Sequence, residues 1–187
     1  MSAKPEDTAA KPGDTAAGDD ATDAAEARDP IDTIEREWRA IRPELEIAPI
    51  AIVGRLLRAA ALTIRRSDEA LAQHGLTRGE FDVLSALRRA GGPQRPSDLT
   101  TVSLASAPAT TKRLKALTAR GLVARAADPD DGRGALIALT PTGAELIDRV
   151  FPAQLETERE LLAGIPAARR DEVVAALRLL LASVERA

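Results

Sequence analysis

The 187-residue chain contains no cysteine, no tyrosine and a single histidine, His74. Without cysteine there is no disulfide framework, no thiolate nucleophile and no thiol-based redox switch. One histidine leaves too little material for a histidine-rich metal site or a Ser-His-Asp triad. Aromatic rings are nearly as scarce, with only Trp38, Phe81 and Phe151, so the stacking platforms of single-strand nucleic-acid modules are missing too. No apolar run approaches the roughly 20 residues that span a bilayer. The polar N-terminus does not read as a signal peptide, so the expected compartment is the cytoplasm. Paired carboxylates, a phosphate loop and a nucleophile–base constellation are also absent, which argues against an enzyme.

Charge is present in both signs but unevenly placed. The net charge of −3 divides into −5 over residues 1–30, where three cations face eight anions, and +2 over the remainder. Between Pro108 and Gly134, Lys112, Arg113, Lys115, Arg120, Arg125 and Arg133 stand against three aspartates, a local +3. A mildly acidic chain thus carries a basic patch, the footprint expected where nucleic acid binds. Residues 1–28 are mostly Ala, Asp, Gly, Pro and Thr, with the near-repeat "KPEDTAA", "KPGDTAA". So few bulky apolar side chains cannot offset ordering entropy, and a disordered acidic tail is expected.

From residue 29 onward the pattern is helical. Asp29 is placed as an N-cap and Pro30 at the first helical position, and Ile31, Ile34, Trp38 and Ile41 form one apolar stripe. This predicts a helix over residues 29–42, ended by Pro43. A longer helix follows from about Pro49 to His74. "LTRGEFDVLSALRRAGG" opens with Thr77 and Glu80 in capping-box spacing, and Phe81, Leu84 and Leu87 form its inward row. A short helix is expected near Pro96 and another from Pro108 to about Arg120, with Leu114 and Leu117 facing inward. "LVARAA" and "ALIALT" flank a Gly- and Asp-rich loop, which is the hairpin pattern. Thr140-Pro141 caps a further helix that Pro152 is expected to kink or split. The last helix spans about Ala167 to Val184.

This order gives a mainly α fold with a small β-hairpin: a winged helix-turn-helix domain over residues 29–187. Residues 76–140 form the DNA-binding lobe and residues 141–187 the dimerisation helices. The N- and C-terminal helices carry more apolar stripe than one small core buries, so a homodimer interface is expected there. In such a domain the second helix of the pair enters the major groove. Thr110, Thr111, Lys112 and Lys115 are therefore candidate contacts to double-stranded DNA. The aspartates of "DPDDG" do not make a calcium loop. Counted from Asp128, the positions that need Gly and Glu hold Arg133 and Leu139, so neither metal nor cofactor is expected. Arg133, at the hairpin tip, suits a narrow, electronegative minor groove, with Asp131 orienting its guanidinium. The alternative is a protein-interaction module, since a winged domain does not dictate its partner.

"HGLTRGEFDVLSALRRAGG" and "GLVARAADPDDGRGALIALTPTG" resemble the MarR family of bacterial transcription regulators, over roughly residues 35–185. The resemblance implies a homodimeric regulator on a palindromic site, its DNA affinity altered by a small ligand. It assigns the wing's Asp-x-Arg to Asp131-Gly132-Arg133. Two departures stand out. Gly132 replaces a second arginine common among relatives, and Ala107-Pro108 stands where they commonly have Ser-Gly, so a serine cap is expected to be displaced or lost. "WRAIRPELEIAPIAIVGRLLRA" is similar to the PecS-like, urate-responsive branch. That similarity implies a ligand pocket of Trp38, Asp82, Arg113 and Arg125, and a repressor released by urate, another purine or a phenolic acid. Two guanidinium forks suit such a flat anion.

Overall fold

The computed structural model describes residues 28–103, 106–129 and 134–186. The expected acidic tail and the hairpin tip therefore lie outside the described residues. Helices α1 (Pro30–Ile41), α2 (Ala48–Ala72), α3 (Arg78–Ala90), α4 (Pro96–Ser103) and α5 (Ala107–Ala119) precede strands β1 (Val123–Ala127) and β2 (Ala135–Leu139). Helix α6 (Pro141–Leu161) follows. A short 3₁₀ turn, Ala167–Arg169, then leads to α7 (Arg170–Val184). Among the described residues, no helix is long and apolar enough to cross a membrane.

The chain divides within α2 into two compact units, one ending at Gly54 and one beginning at Arg55. In the first, the side chain of Asp29 accepts from the amides of Ile31 (2.7 Å) and Asp32 (3.3 Å). Asp32 returns the favour, accepting from the Asp29 amide at 2.7 Å. This reciprocal cap fixes the start of α1. Ile31 is buried and packs over Gly54, where a β-carbon would come within 3.1 Å of it. The rest of the stripe, Ile34, Trp38 and Ile41, stays exposed.

The second unit holds a continuous core. Leu71 from α2, Phe81, Leu84 and Leu87 from α3, and Leu114 and Leu117 from α5 meet Val123 and Ile137 of the hairpin and Ile147 and Val150 of α6. Fully burying such side chains stabilises the fold by roughly 1.5–3 kcal/mol each. Helix α3 starts at the predicted capping box: Thr77 Oγ1 accepts from the Glu80 amide (3.2 Å) and Glu80 Oε2 from the Thr77 amide (2.9 Å). It ends at Gly91, whose φ of 68° is left-handed.

The hairpin is antiparallel, with Val123 opposite Leu139 and Ala127 opposite Ala135. Its end is sewn to α6. Thr140 Oγ1 donates to the Gly121 carbonyl (2.7 Å) and accepts from the Gly143 amide (3.0 Å). Gly143 has no room for a side chain, because a β-carbon would sit 1.9 Å from the Leu122 carbonyl oxygen.

Of the two outcomes expected at Pro152, the split does not occur: helix α6 runs unbroken from Pro141 to Leu161. The proline removes one intrahelical hydrogen bond. Packing on both sides compensates: Val150 and Gln154 are buried, and the Phe151 ring stacks on Phe81 at 6.1 Å.

Candidate nucleic-acid interface

Helix α5 begins at Ser106, whose Oγ accepts from the Ala109 amide at 3.4 Å, with Pro108 in the first turn. The serine cap is thus present one residue upstream of Ala107. Beyond it, Thr111, Lys112 and Lys115 are exposed, while Leu114 and Leu117 anchor the helix. Thr111 Oγ1 donates to the Ala107 carbonyl (2.9 Å) and keeps its lone pairs for an incoming donor. Thr110 does not belong with them. It is 1% exposed, and its hydroxyl has no hydrogen-bond partner among the described residues. The spacing Thr110, Leu114, Leu117 is i, i+4, i+7, so Thr110 lies on the core stripe rather than on a free face.

The hairpin is anchored beside this helix at two points that the sequence did not announce. Gln94, in the linker before α4, pairs with Ile137 through two backbone hydrogen bonds of 2.8 Å and acts as a one-residue third strand. Next to it, Arg95 Nε donates to Asp128 Oδ2 at 2.7 Å. Asp128 is buried at the base of the wing, so its carboxylate ties the hairpin to the start of α4. Asp131, Gly132 and Arg133 lie outside the described residues.

Between α5 and the hairpin runs an open groove of about 630 Å³. Leu114 and Ile137 supply its apolar lining, and Thr111, Lys115 and Arg125 its polar groups, with Pro96 at one side. Arg125 thus shares a surface with the outward residues of α5. Two cations and a hydroxyl around a concave surface can hold phosphate oxygens.

The other candidate ligand residues are distributed as follows. Asp82 accepts from Arg78 Nε at 2.9 Å, and Arg78 Nη1 also donates to Ser67 Oγ at 3.1 Å. Glu158 of α6 stands 3.9 Å from the same guanidinium. Arg113 leans across from α5 onto Gly79, three residues before Asp82 and so on the same side of α3. Asp82 and Arg113 are therefore brought to one stretch of α3. Arg125 is elsewhere, in the groove on the opposite side of α5. Trp38 belongs to the first unit, where it is 44% exposed on α1.

Comparison with known proteins fits this geometry. Residues 74–134 match the model of the MarR family. The chain is 33% identical over 158 residues to the HTH-type transcriptional regulator PecS of Dickeya dadantii (strain 3937), an alignment covering 83% of this chain and 93% of that protein. A mutant MarR from E. coli, solved in complex with operator DNA, superposes with a TM-score of 0.61 at 28% identity, over 79% of this chain and 96% of that one. BpsR from Bordetella bronchiseptica, whose DNA binding is regulated by 6-hydroxynicotinic acid, gives 0.62 at 29% identity, over 68% and 97%.

Proposed function

The chain belongs to the MarR family of DNA-binding transcriptional regulators, and from that membership we propose that it is a homodimeric repressor whose hold on a palindromic operator is weakened by a small anionic ligand. The observation that carries the DNA-binding face is the exposed set Thr111, Lys112 and Lys115 on a capped helix beside an anchored wing. Thr111 and Lys115 meet base edges or phosphates in the major groove. Arg133, on the loop between the strands, reaches the minor groove with Asp131 steadying it.

The groove favours a second role for Arg125. Its place beside Thr111 and Lys115 supports a phosphate contact there, in addition to or instead of a ligand contact. The ligand arm then rests chiefly on Arg113 and Asp82, which meet on one stretch of α3. Urate, related purines, phenolic acids and 6-hydroxynicotinic acid share the flat, anionic chemistry that a guanidinium recognises. By linkage, a ligand that weakens DNA binding must bind the DNA complex less tightly than the free protein.

Dimerisation is supported by α7, none of whose residues is buried. Val173, Leu177, Leu181 and Val184 recur on one face and are all exposed. A two-fold dimer covers such a face and spaces two wings for half-sites one helical turn apart.

Selection of bound fragments from random and promoter DNA, repeated with each candidate ligand, tests the proposal. A palindrome that is released by one of the anions is the expected result. Retention of no duplex would move the reading to a protein-interaction module, and a palindrome indifferent to every anion would remove the ligand arm alone.

A further inference from the structure

Gly79 is the second residue of α3 and is buried. Glycine inside a helix is disfavoured relative to alanine, and its backbone is not left-handed, unlike that of Gly75, Gly91 and Gly121. Conformation therefore does not demand a glycine here. Space does. A β-carbon at this position would lie 2.2 Å from Nε, 2.3 Å from Cζ and 2.6 Å from Nη2 of Arg113. The guanidinium of Arg113 occupies the volume that a side chain at position 79 would fill.

The neighbouring arginines are held differently. Arg78 pairs with Asp82 at 2.9 Å and Arg120 with Glu80 at 3.4 Å, so charge fixes both. Arg113 has no carboxylate within ion-pair distance among the described residues. Its seat is a matter of shape. The seat also lies on the far side of α5 from Thr111 and Lys115, so a seated Arg113 is withheld from the surface those residues form.

The geometry points to Gly79 as a positioning residue: its missing side chain seats Arg113 against α3 and keeps one cation per protomer off the DNA-facing surface. A β-carbon at position 79 turns the guanidinium outward beside Lys112, where it adds to the phosphate-binding charge. The inference rests on the reading of α5 as the DNA-facing helix, and it concerns Gly79, which makes no contact with DNA or ligand itself.

The test uses full-length wild type, Gly79→Ala, Arg113→Ala and the double variant. The obstructing atoms are the end of a flexible side chain and alanine suits a helix, so Gly79→Ala is expected to melt at or above the wild-type temperature. Without DNA, the Arg113 Nε–Hε NMR signal, identified by its loss in Arg113→Ala, should move towards that of solvent-exposed arginines. With an operator duplex, the slope of log K against log salt should steepen by about one per protomer. That steepening should vanish when Arg113→Ala is also present. An unmoved Nε signal, or an equal change of slope with and without Arg113, would overturn the inference, as would a Gly79→Ala chain that fails to fold in both backgrounds. A chain that fails alone but is rescued by Arg113→Ala keeps the seat. If the wild type binds no duplex, the DNA-facing reading fails while the NMR signal still decides the seat.

Discussion

The winged-helix lobe, built from α3 to α6 with the hairpin, and helix α7 belong to the same unit of the chain but satisfy their apolar residues in opposite ways. In the lobe, Leu84, Leu117 and Val150 are wholly enclosed by α3, α5, the hairpin and α6. In α7 no residue is buried, and Leu179 is 75% exposed. The lobe encloses its core with its own residues, whereas α7 presents an apolar face that none of the described residues buries. Residues that hold the lobe should therefore act on stability at any concentration. Residues on α7 should act on association, and on stability only through it.

The largest effect on the stability of the single chain is expected where the lobe has no slack. Gly143→Ala drives a methyl group into the Leu122 carbonyl, and overpacking against backbone costs ~3 kcal/mol. Urea denaturation should show a lower midpoint with an unchanged slope; an unchanged midpoint would mean that the α6–hairpin junction is looser than its geometry. Leu177→Glu probes the other side of the comparison. Losing about 2 kcal/mol of apolar burial in each of two symmetric copies weakens a dimer roughly 1000-fold. Sedimentation equilibrium should detect monomers, with the hydrogen-exchange protection of the lobe core largely kept. A dimer of undiminished stability would place the interface elsewhere.

At the edge of the lobe, Asp128→Ala removes a charge-assisted hydrogen bond worth ~2 kcal/mol and frees the wing base from Arg95. Thermal unfolding should record the loss, and DNA affinity should fall several-fold because one of the wing's two described anchors, the other being Gln94–Ile137, is lost. Smallest of all is Arg88–Asp148, an exposed two-pronged pair at 2.7 and 3.0 Å linking α3 to α6. The hydrogen bonds from Arg88 hold the Asp148 carboxyl below its ordinary 3.8. A depressed carboxyl contributes stability above its unfolded pKa and loses it as pH falls through the folded one. Asp148→Asn should therefore narrow the stability difference from wild type below about pH 4 and leave a small, salt-sensitive deficit at neutral pH, read by melting in a pH series.

Local signals carried most of the fold. The caps at Asp29 and Thr77 involve residues three apart, so the sequence displays them directly, and the apolar rows of α3 and α5 repeat over several turns. What escaped has no such period. The Gln94–Ile137 bridge is one residue long, and Arg95 meets Asp128 across 33 positions. Thr110 was legible in principle, because its spacing to Leu114 and Leu117 marks the core face, but a hydroxyl on a basic helix invites a DNA assignment. The division of the arginines was also implicit in helical geometry. Residues 111 and 115 share one side of α5 and residue 113 takes the other, so Arg113 and Arg125 meet different neighbours. The stripe of α1 shows the limit of periodicity: it announces a helix and an apolar face, but not whether the same chain covers that face.

The most direct test of the central claim, that α5 and the wing form a DNA-binding surface, is a fluorescence-anisotropy titration of the selected duplex from about 50 to 200 mM salt. Wild type should show log K falling linearly with log salt, and Lys115→Ala should make that slope shallower by about one per protomer without changing the melting temperature. Salt-independent binding, or a slope that Lys115→Ala leaves unchanged, would contradict the account.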